Sequence, residues 1–477
     1  MVRLLSKLFH SFCSFRRFRF AALLLLPLTS TAWADDFAAL DAKIAMHKAS
    51  LAEMELTADR YANSLIEPLT SLAIAHMEAN QFSEADRILD RTIQIVRINS
   101  GLFDAGQYDL LQLELENNRQ RGNWKLANQE LDHLQWLYTH RYEGNVTDLL
   151  QRLSWLSDTH LHGVFEDFAD RQVMHLRSAT GINQLAVEVS RNFPGVVPQM
   201  RAELLYDLVL KYALETQGIR RGGRTSYEIR EFMPGSTTVQ KRKDALRHRY
   251  FAGLAVLNEI QDLILQSPTP DPAALAMVKL HRSDWLYFFN ETSEDAREYS
   301  EAYQELLAAG LPQDQLDAYF SQPVPLPRPS LYADIAGLVG ITVDNTATAL
   351  FDGSVQLIEL SENFPGHVVT SRSGLGKAFL AHDWLTTSVS FLVAPKGLEV
   401  EPETAETDKD SYDRETMRYM AESELESQME AVRKRVEKLY FRPALDNGVA
   451  VSRTVTIDYS FPVPLSVDPG TSLVSQR

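Results

Sequence analysis

Histidines, paired carboxylates and one run of arginines are the side chains in this sequence whose types and spacing bear on chemistry. His133, His140, His160, His162 and His175 fall within one stretch. His160-Leu161-His162 could offer two imidazole nitrogens to zinc. Residues two apart on a helix point to different sides, however, and no His-Glu-x-x-His pair or patterned third ligand completes a metal site. The pairs Asp167/Asp170 and Glu298/Glu301 have a spacing compatible with acid–base work, but they lie on polar faces with no pocket signal. Gly374-x-Gly376-Lys377 lacks the first glycine and the following helix start of a phosphate loop. No Gly-x-Ser-x-Gly or Ser-x-x-Lys occurs. Arg220, Arg221, Arg224 and Arg230, with Gly222-Gly223 and Tyr227, make a basic stretch that Lys241, Arg242, Lys243, Arg247 and Arg249 continue. That stretch could clamp an anionic group on a partner, a glycan or a lipid phosphate, or lie solvated beside nearby carboxylates. The sequence therefore predicts no catalytic residue, no cofactor and no metal.

The elements that must position these groups follow from length and patterning. At 477 residues the chain is too long for one ordinary domain, so two or three are expected. An apolar share of 45% supplies real cores, and 23% charged residues argue against wholesale disorder. Arg3, Lys7, Arg16, Arg17 and Arg19 form a basic leader before the apolar run Phe20–Leu28, and Ala32-Trp33-Ala34 fits a small-x-small cleavage site. Residues 1–34 are thus expected to be a cleaved export signal, which places the mature chain in the periplasm. The single cysteine, Cys13, lies in that leader, so a mature chain has no disulfide and no thiolate nucleophile. A net charge of −17, more negative still without the leader, argues against nucleic acid. No later run is long and apolar enough to span a membrane.

Residues 69–122 carry the clearest order. Leu69, Leu72, Ala73 and His76 share one helical face; Asn80-Gln81 turns the chain; Phe82, Ala85, Leu89 and Thr92 share a second face. A second copy reads Leu111, Leu115 and Asn118, then Gly122-Asn123-Trp124, then Ala127, Leu131 and Leu134. Phe82 and Trp124 hold equivalent places, 42 residues apart. This large-large-small, aromatic-small-large order resembles the tetratricopeptide repeat, whose period of about 34 is here lengthened in the loop between copies. The resemblance implies stacked helix pairs that bind protein partners, with Leu69, Leu72, Ala73, Phe82, Ala85, Leu89, Trp124 and Ala127 as repeat core.

Further helices are expected at Val146–Leu161, Phe165–Arg177, Gly181–Arg191, Met200–Thr216 and Lys243–Leu265, after a leading helix over residues 36–62. A third possible repeat places Leu280, Asp284 and Tyr287 on one face and Ala296, Ser300 and Tyr303 on the other. Gln322–Pro329 alternates proline and is expected as an extended linker. Beyond it, Gly353–Leu360, His367–Arg372 and Asp383–Ala394 are expected strands, Glu399–Asp410 an acidic loop, Arg414–Leu439 a long charged helix, and Val451–Phe461 a strand of strict alternation.

Over Met429–Phe461, Ala431, Val432, Phe441, Pro443, Ala444, Gly448, Val451 and Phe461 match a pattern similar to the end of the TonB C-terminal domain: a helix closed by aromatic-x-Pro-Ala, a glycine turn and a last strand. That resemblance implies a small α+β module whose last strand, with Arg453, Val455, Ile457 and Tyr459, lends its edge to an extended peptide of an outer-membrane protein.

The expected fold class is mainly α, with helical repeats like those of tetratricopeptide proteins, plus a C-terminal α+β domain. The expected divisions are a signal at 1–34, repeats at 35–160, a further helical region at 161–322 with the basic loop 218–249, a proline-rich linker at 323–337, the α+β domain at 338–465 and a tail at 466–477. The expected function is a periplasmic interaction scaffold or adaptor with a protein partner in the cell envelope. A cell-envelope hydrolase, and a subunit of an envelope assembly or transport system, stay open as alternatives.

Overall fold

The computed structural model describes residues 29–167, 171–221, 239–289, 292–328, 331, 382–395, 397–398, 403–404 and 440–464. These are mostly helical: twelve α-helices, with a few short strands near the C-terminus. None of the described helices is long and apolar enough to cross a membrane. The chain divides into two compact units, Met1–Gly144 and Asn145–Arg477.

The first unit holds α1 (Thr29–Glu55), α2 (Ile66–Glu78), α3 (Phe82–Ser100), α4 (Tyr108–Gln120) and α5 (Trp124–His140). Each helix packs on the next, and α2 also reaches α4. The two hairpins, α2–α3 and α4–α5, repeat residue for residue at an offset of 42. A 3₁₀ turn precedes each, Asn63–Leu65 and Ala105–Gln107, and both first helices have 13 residues.

The turns inside the hairpins agree to the individual bond. Asn80 and Gly122 take positive φ, 56° and 74°. The N–H of Gln81 donates to His76 O and that of Asn123 to Asn118 O, both at 2.8 Å; Asn80 N–H donates to Met77 O and Gly122 N–H to Arg119 O, both at 2.9 Å. This is the Schellman arrangement, which satisfies the last carbonyls of a helix when the following residue can enter the left-handed region, as glycine and asparagine do. Gln81 and Asn123 then begin the next helix at once, with φ/ψ of −90°/57° and −87°/65°. A three-residue link leaves the second helix nowhere to go but back along the first.

The apolar stripes meet inside. Leu69, Leu72, Ala73, Ala85, Leu89, Trp124 and Ala127 are buried, and Phe82 is half-buried. Each fully buried leucine is worth about 1.5–3 kcal/mol against an exposed one.

Within itself the second unit is also built helix on helix, from α6 (Val146–Glu166), α7 (Gln172–Asn192), α8 (Pro198–Arg221), α9 (Val239–Leu265), α10 (Pro272–Phe288), α11 (Thr292–Ala308) and α12 (Gln313–Phe320). Residue 160, where a division was expected, falls inside α6. The break expected after Leu161 comes instead at Asp167, and Phe165 belongs to α6. Asn145 caps α6 by accepting from Asp148 N–H at 2.8 Å, and Asp271 caps α10 by accepting from Ala273 N–H at 2.9 Å, with Pro272 at the first helical position.

The strands are β1 (Val324–Leu326), β2 (His382–Ala394), β3 (Gly397–Leu398), β4 (Glu403–Thr404), β5 (Tyr440–Arg442), β6 (Ala444–Asp446), β7 (Val449–Val451) and β8 (Arg453–Pro464). β1 pairs antiparallel with β5, so the proline-alternating stretch is extended but paired rather than a free linker. β6 and β7 form a hairpin through Asn447-Gly448 (φ 50° and 82°), the two left-handed residues that such a turn requires. Leu326 and Leu445 lie in one core with Leu280, Tyr299, Tyr303 and Phe320, and Tyr440 and Ala450 pack against it. The first strands after residue 440 therefore belong to the same core as α10–α12. The strand expected over 451–461 divides at Ser452, and β8 pairs with β2 along its whole length, from Arg453↔Val393 to Pro464↔His382. The strands expected at 353–360 and 367–372 and the helix expected at 414–439 lie outside the described residues.

Candidate binding site

Arg220 was expected on a basic loop but lies in the last turn of helix α8. Its Nη2 donates to Phe288 O at 2.7 Å, and its guanidinium lies over the rings of Phe288, Phe289 and Tyr440 at 4.6, 5.0 and 5.0 Å. Burial lowers its pKa. Arg220 thus fastens α8 to α10 and β5, because a planar, weakly hydrated cation stacks well on aromatic faces. Arg221 is the last residue of α8; its side chain, with Arg224 and Arg230, lies outside the described residues. Arg453 opens β8 and is exposed. The register sets Val455, Ile457 and Tyr459 opposite Phe391, Val389 and Thr387. Among the described residues β2 is the only strand that β8 pairs with.

Two polar clusters lie in the helical core of the second unit. His160 Nδ1 is 3.0 Å from His175 Nδ1, and His175 Nε2 donates to Asp167 Oδ2 at 2.9 Å. Burial, then the neighbouring His175, pushes His160 down to about 3. In the second cluster, Lys211 Nζ sits 3.5 Å from Asp158 Oδ1 and 3.6 Å from Asp207 Oδ2, while burial drives both carboxyls up against the pull of that ammonium. Asp158, His160, Asp167, His175 and Lys211 are buried and Asp207 is half-buried; the first cluster joins α6 to α7 and the second joins α6 to α8. Among the described residues no group of three His, Cys, Asp or Glu side chains is arranged to hold a metal. Of the five histidines in the sequence cluster, the fold joins His160 and His175; His133 and His140 lie in the first unit.

The first unit presents a different arrangement. In the first hairpin the packed faces carry Leu72, His76 and Ile88, all buried. At the same places in the second hairpin stand Glu114, Asn118 and Glu130. Asn118 Nδ2 donates to Glu130 Oε1 at 2.7 Å. Glu114 lies near Asp90 and Asp86 of α3; burial first, then those two carboxylates, push it up to about 7. Burial, then Glu114 with Asp86, push Glu130 up to about 8, against the Asn118 bond and Arg121. Arg121 Nη1 pairs with Asp86 Oδ2 at 3.3 Å. Arg97 also lies near Glu114, although its Nε donates to Gln107 Oε1 at 3.2 Å. His133 of α5 borders the seam, its pKa lowered by burial and then by Arg97.

Four carboxylates on α3, α4 and α5 therefore gather around two guanidiniums. Asp90 is exposed and Asp86, Glu114 and Glu130 are half-buried, so the seam opens to solvent. Sequence reading placed Leu111, Leu115 and Asn118 as core and passed over the two glutamates. The signal was present: aligning the copies at an offset of 42 shows Leu72 replaced by Glu114 and Ile88 by Glu130. Local rules broken inside an otherwise regular repeat are expected at functional or strained positions. No protein-family model matches the chain, and no curated protein matches it in sequence.

Proposed function

We propose that this protein is a periplasmic interaction scaffold of the cell envelope, with helix pairs akin to tetratricopeptide repeats as one contact surface and the C-terminal strand β8 as a second. The observation that carries this reading is the 42-residue repeat, whose two hairpins share one turn geometry but differ in the chemistry of equivalent faces. Stacked helix pairs create extended surfaces for partners, and pairs that differ in their polar side chains offer different contacts. The leader of residues 1–34 and the net charge of −17 support an exported chain that avoids nucleic acid. The alternation in β8 and its similarity to the last strand of the TonB C-terminal domain support an edge that an extended peptide could join through backbone hydrogen bonds.

The test is recovery of the mature protein from envelope extract after cross-linking, with the linked sites read by mass spectrometry. Cross-links from residues 66–140 or 453–464 to a defined envelope protein are expected. An intact leader in the membrane fraction, or recovery without any cross-linked protein, would overturn the reading.

A further inference from the structure

We infer that a proton on the His281 imidazole fastens the chain that follows β1 to the helical core, so that this fastening loosens as pH rises. The inference goes beyond the scaffold reading and does not depend on it.

Hydrogen counting carries it. His281 of α10, Tyr206 of α8, Arg328 and Leu331 are all buried. His281 Nε2 lies 2.9 Å from Leu331 O, which can only accept, so Nε2 carries a hydrogen. Nδ1 lies 3.1 Å from the Tyr206 hydroxyl oxygen, and that hydroxyl donates to Arg328 O at 3.1 Å. The phenol has one hydrogen. Given to Arg328 O, it leaves the hydroxyl oxygen to accept, and Nδ1 must then donate as well. Both ring nitrogens carry hydrogens only in the imidazolium. Asp284 Oδ2, 3.6 Å from Nδ1, supplies the opposite charge. Among the described residues the titratable groups that meet the ring are Tyr206 from α8 and Asp284 from α10. Asp284 is gripped in turn by Arg442 of β5 and Tyr299 of α11.

A neutral ring has one hydrogen fewer, and the three contacts then share two. With Nε2–H kept on Leu331 O, Tyr206 turns its hydrogen to Nδ1 and Arg328 O loses this donor. A buried acceptor that loses its donor is costly. The cost falls two residues beyond β1, whose pairing with β5 is three residues long. Histidine is the side chain whose charge changes near neutral pH, so the hold on this stretch follows the proton.

The test is nitrogen-15 NMR of the full chain with labelled histidine rings, from about pH 5 to about pH 9. Hydrogen exchange is read by mass spectrometry over the same range and corrected for the intrinsic rate. His281 is assigned by the signal lost in His281→Gln or, if that variant does not fold, by the signal displaced in Tyr206→Phe. It should be an imidazolium at acid pH and lose the Nδ1 hydrogen as pH rises. Protection of the peptides that carry β1 and β5 should fall at least about tenfold through the same step, while the centre of α10, Met277–Leu280, keeps its protection. Tyr206→Phe removes the bridging oxygen and should abolish the step in protection while His281 still titrates. His140→Gln, an exposed control, should behave as wild type.

A neutral His281 ring throughout the range would overturn the inference. Protection unchanged across the His281 step would overturn it, as would a step that persists in Tyr206→Phe. Equal loss of protection at the centre of α10 would mark a change of the whole unit and would overturn it too.

Discussion

Arg442 and Asp284 lie 158 residues apart in sequence and form a bidentate pair: Nε donates to Oδ1 at 2.8 Å and Nη2 to Oδ2 at 2.6 Å. The pair ties β5 to α10. Tyr299 donates to the same Asp284 Oδ1 at 2.9 Å, and Arg442 Nη1 donates to the Tyr319 hydroxyl at 2.9 Å, so the charges are buried with their hydrogen bonds filled. Burial pushes the Asp284 carboxyl up, but the Arg442 charge and hydrogen bonds, with help from His281, hold it well below the usual range. The same burial, with Asp284 beside it, drives the Tyr299 hydroxyl well above its ordinary value. Breaking such a pair leaves a lone buried charge, which costs more than the pair itself contributes.

Arg442→Met should therefore cost about 3–5 kcal/mol in urea unfolding, and Asp284→Leu combined with Arg442→Met should cost less than Arg442→Met alone. Because Asp284 ionises more readily folded than unfolded, its contribution is present above the unfolded value of 3.8 and lost as pH falls below it. Wild-type stability should drop between about pH 5 and 2, and the double variant should drop less. Parallel pH profiles would show that the pair is not responsible.

The acidic seam titrates in the opposite sense. Glu114 and Glu130 are raised to about 7 and about 8, so between pH 4.5 and 8 the folded state holds protons that the unfolded state has released. Stability from these groups is present below 4.5 and declines as pH rises through the folded values. Glu130→Ile should raise the melting temperature more at pH 8 than at pH 5. Thermal melts at the two pH values check this, and an equal shift at both would refute it.

Two glycines should respond with opposite signs. Gly448 has φ of 82°, and a Cβ there would come within 2.9 Å of the Tyr303 ring, so Gly448→Ala should destabilise by about 1–3 kcal/mol. Gly181 lies within α7, is exposed, and a Cβ there meets nothing within 4 Å. Gly181→Ala should stabilise by about 0.5–1 kcal/mol through the lower entropy of the unfolded chain. Chemical denaturation of both variants gives the comparison.

Arg220→Ala should lower stability by about 1–3 kcal/mol, since it removes three aromatic contacts and the bond to Phe288 O. Arg220→Lys should recover only part, because an ammonium cannot stack as a plane. A partner-binding arginine would behave differently, with unchanged melting and weakened partner recovery, so the two assays together separate the roles.

Ala85 is fully buried where the paired helices of the first hairpin pack, and Ala85→Leu should overpack it at a cost of about 1–3 kcal/mol. Glu84→Gln, on the exposed side of the same turn of helix beside Arg87, should change little. Equal effects on melting would mean that the hairpin is not packed along this face.

The helices and the repeat were legible in the sequence because both are local. Apolar residues at helical spacing mark a face whatever lies opposite, and Asn80-Gln81 and Gly122-Asn123 announce their turns through residues that tolerate positive φ. Asn447-Gly448 marks its hairpin for the same reason. What only the tertiary structure decided depends on which faces meet. Arg220 reads as one more basic residue until α8, α10 and β5 bring Phe288, Phe289 and Tyr440 around it. His160 and His175 look like a loose cluster until the break at Asp167 folds α7 back on α6. Glu114 sits at an ordinary spacing on α4, and nothing near it in sequence says that it will face Asp90 of α3. The charge environment of a side chain is set by neighbours across helix interfaces, and single-sequence periodicity carries no information about those neighbours.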